Sequence, residues 1–201
     1  MTPGLPDEIR SILDVRFAAR ERAIIESRKV IRAAANAIRC LHRSEREEAD
    51  TLIEESGSRL ATINEAIAET PELASHGVVL DAAKEYTEAC LTRSVFYDEP
   101  LPGFAELGVD PIPYLHGLGE TVGEMRRRML DMLRADQLDE ASRLLELMDE
   151  FVDRLAEVDY PDGMTNGLRR TTDVSRSLVE RSRADLTATV VQERLRRDLN
   201  S

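Results

Sequence analysis

The chain contains no tryptophan, and four tyrosines and four phenylalanines make aromatics only 4% of its 201 residues. Stacking platforms for bases or sugars are therefore a minor resource. Only two cysteines are present, Cys40 and Cys90, without CxxC or Cys/His spacing, which argues against a structural zinc site. Both sit in partly apolar helical contexts and read as buried free thiols of a reducing compartment. Lysine is almost missing: Lys29 and Lys84 are the only two, so arginine supplies the remaining basic side chains. No run approaches the ~20 apolar residues of a membrane span. The first residues, Met-Thr-Pro-Gly-Leu-Pro-Asp-Glu, have neither a basic n-region nor an apolar h-region, so no signal peptide is expected and the expected location is the cytoplasm.

What the chain has is acid. Its formal net charge is -12. An acidic, lysine-poor composition resembles that of proteins adapted to a salt-rich cytoplasm and bears on solubility more than on activity. The charge is uneven. From Arg10 to Arg43 there are nine basic residues and three acids, a net of +6, whereas Glu45 to Glu99 is strongly acidic. The first helix thus carries the one basic surface suited to a polyanion, with Arg20, Arg28, Lys29, Arg32, Arg39 and Arg43 as the nucleic-acid-binding candidates.

Apolar residues recur at helical spacing throughout, and no strand pattern of useful length is present. The expected helices run from Pro6-Asp7 to about Arg43, from a Ser44/Glu47 capping box to about Thr70, from Val78 to Tyr97, from Pro113 to Ala135, from Leu138 to about Val158, and from Asn166 to about Leu199. Tyr160-Pro-Asp-Gly reads as a turn. The expected architecture is all-α, a bundle of about six to seven helices forming a single unit over residues 1–201.

Two glutamate pairs carry the chemistry. Glu85 and Glu88 are spaced i, i+3, and Glu120 and Glu124 i, i+4; each pair shares one helical face. That spacing alone is common, and Glu146/Glu150 repeats it on a helix that reads as solvated. Context separates the two pairs. Glu88 shares its face with Leu91 and Val95, while Val79, Ala82, Ala83, Tyr86 and Cys90 form a second apolar stripe on the same helix. A helix that is apolar on more than one side is buried on more than one side. Buried carboxylates there need a cation, a metal or a proton. Oxygen-only ligands suit Mg²⁺ or Mn²⁺, the usual equipment for phosphodiester chemistry. In the next helix Gly117, Gly119 and Gly123 each cost about 1 kcal/mol against alanine, so something approaches that backbone closely, either a helix or a ligand. His116, one turn before Glu120, reads as a packed histidine more readily than as a ligand.

The same residues carry a resemblance. The pieces are Ile25-Glu-Ser-Arg-Lys-Val-Ile31, Glu85-Tyr-Thr-Glu-Ala89, Tyr114-Leu-His-Gly-Leu-Gly-Glu-Thr-Val-Gly-Glu-Met-Arg-Arg127 and the arginine-rich last helix from Gly167. In these the chain resembles the translin superfamily, and translin-associated factor X (TRAX) more than translin. The resemblance implies about seven helices, a hollow octamer enclosing RNA, binding of single-stranded RNA and DNA, and, in the TRAX type, Mg²⁺-dependent endoribonuclease activity. It maps the catalytic acids onto Glu85, Glu88 and Glu120, and places Glu88 and Glu124 by the metal. TRAX carries aspartate where this chain has Glu120, which displaces the carboxylate by about one bond length. With no second subunit in view, a homo-oligomer is implied. Two alternatives stand beside the nuclease: a nucleic-acid-binding shell without catalysis, and a ferritin-type bundle, which lacks its Glu-x-x-His motif here.

Overall fold

In the computed structural model, which describes residues 6–200, the chain is helical as expected. The described residues form seven α-helices: α1 Asp7–His42, α2 Arg46–Ala66, α3 Gly77–Phe96, α4 Pro111–Arg134, α5 Leu138–Ala156, the single turn α6 Asp162–Thr165, and α7 Leu168–Leu199. A short 3-10 turn, Pro71–Ser75, joins α2 to α3. Of the N-terminal segment read for a signal peptide, residues 1–5 lie outside the described residues, and Asp7 and Glu8 open α1.

Helix ends follow local chemistry, with three departures from expectation. The capping box at Ser44 does not form. Ser44 takes a left-handed φ of 61°, and Glu45, with no side-chain cap bond, precedes the first residue of α2. The α4 start lies earlier than expected because the Asp110 carboxylate accepts from Ile112 N at 3.0 Å, capping the helix. Tyr160-Pro-Asp-Gly is the entry to α6 rather than a simple turn; Asn166 and Gly167, both at positive φ, then turn the chain into α7.

The packing has two halves. α1, α2 and α3 share one apolar core, with Val30, Leu60, Ile63 and Ala82 at its centre. α4, α5 and α7 share another, built on Val122, Met125, Met129, Met148 and Phe151. α1 and α2 run antiparallel: Ser56 Oγ donates to Val30 O at 3.2 Å, and farther along Arg59 meets Glu26 at 3.1 Å. α4 and α7 run parallel in one register, since Ser175 donates to Gly119 O and Arg126 donates to Ser182, each pair 56 residues apart. The halves meet where α3 packs on α4. Cys40 and Cys90 are buried free thiols, as expected.

Much of this interior is small. A Cβ on Gly117 would stand 2.8 Å from Thr87 Cβ and 2.9 Å from the Lys84 carbonyl of α3; one on Gly119 would stand 2.3 Å from Thr171 Cγ2 of α7. The close approach foreseen for these glycines is therefore helix on helix. Gly123 is different, with its nearest neighbour, Leu178 Cδ1, at an ordinary 3.9 Å.

Candidate metal centre

The seam between α3 and α4 carries the acids. Ten residues of α3 are buried, including the Ala82, Ala83, Cys90 stripe and Leu91 on the opposite side. Glu88 is among them, only 8% exposed. Glu85 lies one turn earlier on the same face, and the Gly117 contact holds Glu120 of α4 against both. Ligand oxygens of Glu85, Glu88 and Glu120 lie within 4.8 Å of one another.

These three carboxylates meet with one cation from the protein. Lys84 Nζ donates to Glu120 Oε1 at 2.8 Å and stands 3.4 Å from Glu85 Oε1. Glu88 has neither hydrogen bond nor ion pair among the described residues. Burial pushes the Glu88 carboxyl up, and the charges of Glu120, Glu85 and Glu124 push it further, to about 9. Burial also raises Glu85; Lys84 opposes the rise and the Glu120 charge adds to it. For Lys84 itself burial favours the neutral amine. The hydrogen bond and charge of Glu120, with Glu85 and Asp81, outweigh burial and hold the ammonium above its ordinary value.

Glu124 is engaged differently. Its carboxylate meets His42 Nε2 from the end of α1 in a short hydrogen bond, and Arg127 approaches it at 3.8 Å. His42 is buried edge-on against Phe96, with ring centroids 5.1 Å apart. The convergent three therefore exclude Glu124, although its charge is felt at Glu88. His116 faces elsewhere: its Nε2 meets the Thr165 carbonyl at 3.0 Å and its Nδ1 meets Thr171 Oγ1 at 2.8 Å. A carbonyl only accepts, so Nε2 carries the hydrogen and both ring nitrogens are used in packing.

A cleft of about 400 Å³ opens beside the acids, lined by Glu88, Glu120, Gly123, Arg170, Val174 and Leu178. Arg170 is exposed and has no ion pair among the described residues. Gly123, where an added Cβ would meet Leu178 Cδ1 at an ordinary 3.9 Å, is part of this wall. A larger groove of about 680 Å³ lies between α5 and α7, but there Asp173 is paired with Arg176 at 3.1 Å and no buried acid is exposed to it. The smaller cleft is the one that reaches the buried, unpartnered carboxyl of Glu88.

The basic candidates Arg20, Arg28, Lys29, Arg32 and Arg39 are exposed on α1, and Arg43 is exposed just past its end. They do not pair with the acidic second helix. Arg20 pairs with Glu21, Lys29 with Glu26 and Arg43 with Glu45, all close in sequence, and Arg28 and Arg32 have no ion pair among the described residues.

As a fit for a cation, the donor set is three carboxylates, one of them more than nine-tenths buried without a partner. Hard divalent ions take such oxygen sets. No helix among the described residues is long and apolar enough to cross a membrane.

No protein-family model matches the chain. An uncharacterized protein of Methanocaldococcus jannaschii is 29% identical over 198 residues, spanning 96% of this chain and 87% of that protein. The crystal structure of AfC3PO is 31% identical and matches with a TM-score of 0.85 over 92% of this chain and 97% of that one. AfC3PO in complex with duplex RNA is 30% identical, with a TM-score of 0.86 over 92% and 96% of the two chains. Apo-NeC3PO, at 20% identity and a TM-score of 0.82, shares the fold. At the identity and coverage of AfC3PO, the all-α chain belongs to the translin superfamily, alongside the C3PO proteins.

Proposed function

We propose that this chain is a TRAX-type member of its superfamily: an RNA-binding protein that cuts RNA with a divalent metal, Mg²⁺ or Mn²⁺, held on Glu85, Glu88 and Glu120. The observation that carries the reading is Glu88, buried and unpartnered within reach of two further carboxylates. A divalent cation in such a set polarises phosphoryl oxygens and lowers the pKa of bound water. The chain's own residues then have distinct tasks. Glu85, Glu88 and Glu120 would hold the ion, and any of their oxygens left off it can take a proton from the attacking water. Arg170 offers a fork of donors to a phosphate lying in the cleft, and Val174 and Leu178 give it an apolar wall. Glu124, tied to His42, holds the end of α1 beside α4.

RNA binding is supported by the likeness to AfC3PO, whose complex contains duplex RNA. Single strands, RNA or DNA, are the substrates the TRAX resemblance implies. The exposed arginines of α1 supply phosphate contacts. Exposed Ile9, Ile12, Leu13 and Phe17 on α1, with Leu195 and Leu199 on α7, are apolar surface of the kind that self-association covers. This fits residues 1–201 acting as one translin-like unit in a hollow homo-oligomer, an octamer by resemblance, in the cytoplasm.

A second reading is a binding shell without catalysis. Lys84 favours it, because its ammonium already offsets one negative charge shared between Glu85 and Glu120. Labelled single-stranded and duplex RNA, incubated with Mg²⁺ or with EDTA at low and high KCl, separates the two. The nuclease reading expects metal-dependent cutting that disappears in Glu88→Ala while RNA binding persists. Binding without cutting under every condition, or equal cutting by Glu88→Ala, would sink it.

A further inference from the structure

A protein cation stands inside the acidic cluster. Lys84 Nζ lies 2.8 Å from Glu120 and 3.4 Å from Glu85, two of the three carboxylates that converge. The third, Glu88, is more than nine-tenths buried and makes no hydrogen bond or ion pair among the described residues. Backbone packing fixes this arrangement. Gly117 lets α4 settle against the Lys84 carbonyl, and three residues later Glu120 meets the ammonium of that same lysine.

We propose that Lys84 is a built-in competitor for the divalent cation: its ammonium holds Glu85 and Glu120 in the metal-free protein and leaves them when a metal binds. The inference rests on the metal reading above. Two cations cannot share these oxygens without repulsion at short range. The apparent metal affinity is therefore reduced by the fraction of molecules whose carboxylates are free of the ammonium. Lysine suits this task, being a compact charge on a flexible four-carbon stem. Once displaced, the ammonium stays tethered beside the cluster and adds positive charge where a phosphate would be brought to the metal.

Mn²⁺ uptake, measured by equilibrium dialysis without RNA, tests the idea on wild type, Lys84→Met and Lys84→Arg, each first checked for helicity. Lys84→Met removes the charge and keeps most of the volume, and its Mn²⁺ affinity should rise at least about ten-fold. Lys84→Arg keeps the charge and should not gain. A second readout needs no variant. Lys84 and Lys29 are the only lysines, so acylation by an amine-reactive ester can be followed at each by mass spectrometry. Saturating Mn²⁺ should speed acylation of Lys84 and leave Lys29 unchanged. If wild type and Lys84→Met bind Mn²⁺ equally, or Lys84 acylation does not rise with bound Mn²⁺, the competitor is refuted while the metal site stands. If no variant binds Mn²⁺, the metal reading itself falls. Should Lys84→Met not fold, the acylation result decides.

Discussion

Gly117 lies against Thr87 so closely that a Cβ added to the glycine would stand 2.8 Å from both Cβ and Cγ2 of the threonine. The other near atom is the Lys84 carbonyl, which is backbone and cannot swing away. Gly117→Ala should therefore push α3 and α4 apart and cost about 1–3 kcal/mol. Gly163→Ala, where nothing lies within 4 Å, serves as the control and should change stability little. Urea denaturation measures both. A Gly117→Ala protein as stable as wild type would mean the seam yields more easily than its geometry indicates.

The second prediction concerns pH. In the metal-free protein the Glu88 carboxyl is raised from 4.5 to about 9. Between those values the folded chain keeps a proton that the unfolded chain has released. The stability this contributes is complete below the lower value and is lost as pH rises toward the upper one. In EDTA the melting temperature should fall from about pH 5 to about pH 8, with a shallower fall in Glu88→Gln. Identical slopes in the two proteins would assign the dependence to other groups.

Metal binding should stabilise the fold by linkage, about 2.7 kcal/mol at a concentration 100 times the dissociation constant. Melting with and without Mn²⁺ reads this directly. Glu88→Gln and Glu120→Gln should lose the shift. Glu124→Gln should keep most of it, because that carboxylate is bound to His42 and stands apart from the converging three. Loss of the shift in Glu124→Gln alone would move the metal one turn along α4.

RNA binding should depend on salt through the arginines that carry no internal partner. Replacing Arg28 and Arg32 together by alanine should weaken binding across sequences and lower the slope of log affinity against log salt by about 0.7–0.9 per lost contact. Melting temperature should hardly move, as both side chains are exposed. An unchanged slope would place the phosphate contacts elsewhere, with Arg170 the next candidate.

The helices were legible because proline, glycine and apolar period are local signals. The burial of α3 on several sides was legible too, and with it the unusual position of Glu88. The Ser44 box failed because a left-handed residue was needed there to turn α1 into α2, and tertiary packing of the two helices overrode the cap. Contacts between distant residues were beyond reach. Lys84 meets Glu120 across 36 positions and His42 meets Glu124 across 82, and neither pairing follows from spacing on one helix. The glycines announced a close approach without naming the partner. Apolar Ile12, Leu13 and Phe17 continue the period of α1, yet they are exposed, since periodicity reports a face and not what covers it.

At 1.5 Å per residue, the 36-residue α1 is a rod about 54 Å long. Its last residue, His42, is pinned to α4, whereas its first three turns stand clear of α2 and α3. From Ala19 onward the rod is packed into the core it shares with α2 and α3, and only the stretch from Asp7 to Ala18, about 18 Å long, projects beyond it. A bend of about 5° at the edge of the core moves the Asp7 tip by about 1.6 Å, for a helix of this pitch. Load applied at that tip is taken up by the α1–α2–α3 core before it reaches the His42–Glu124 joint.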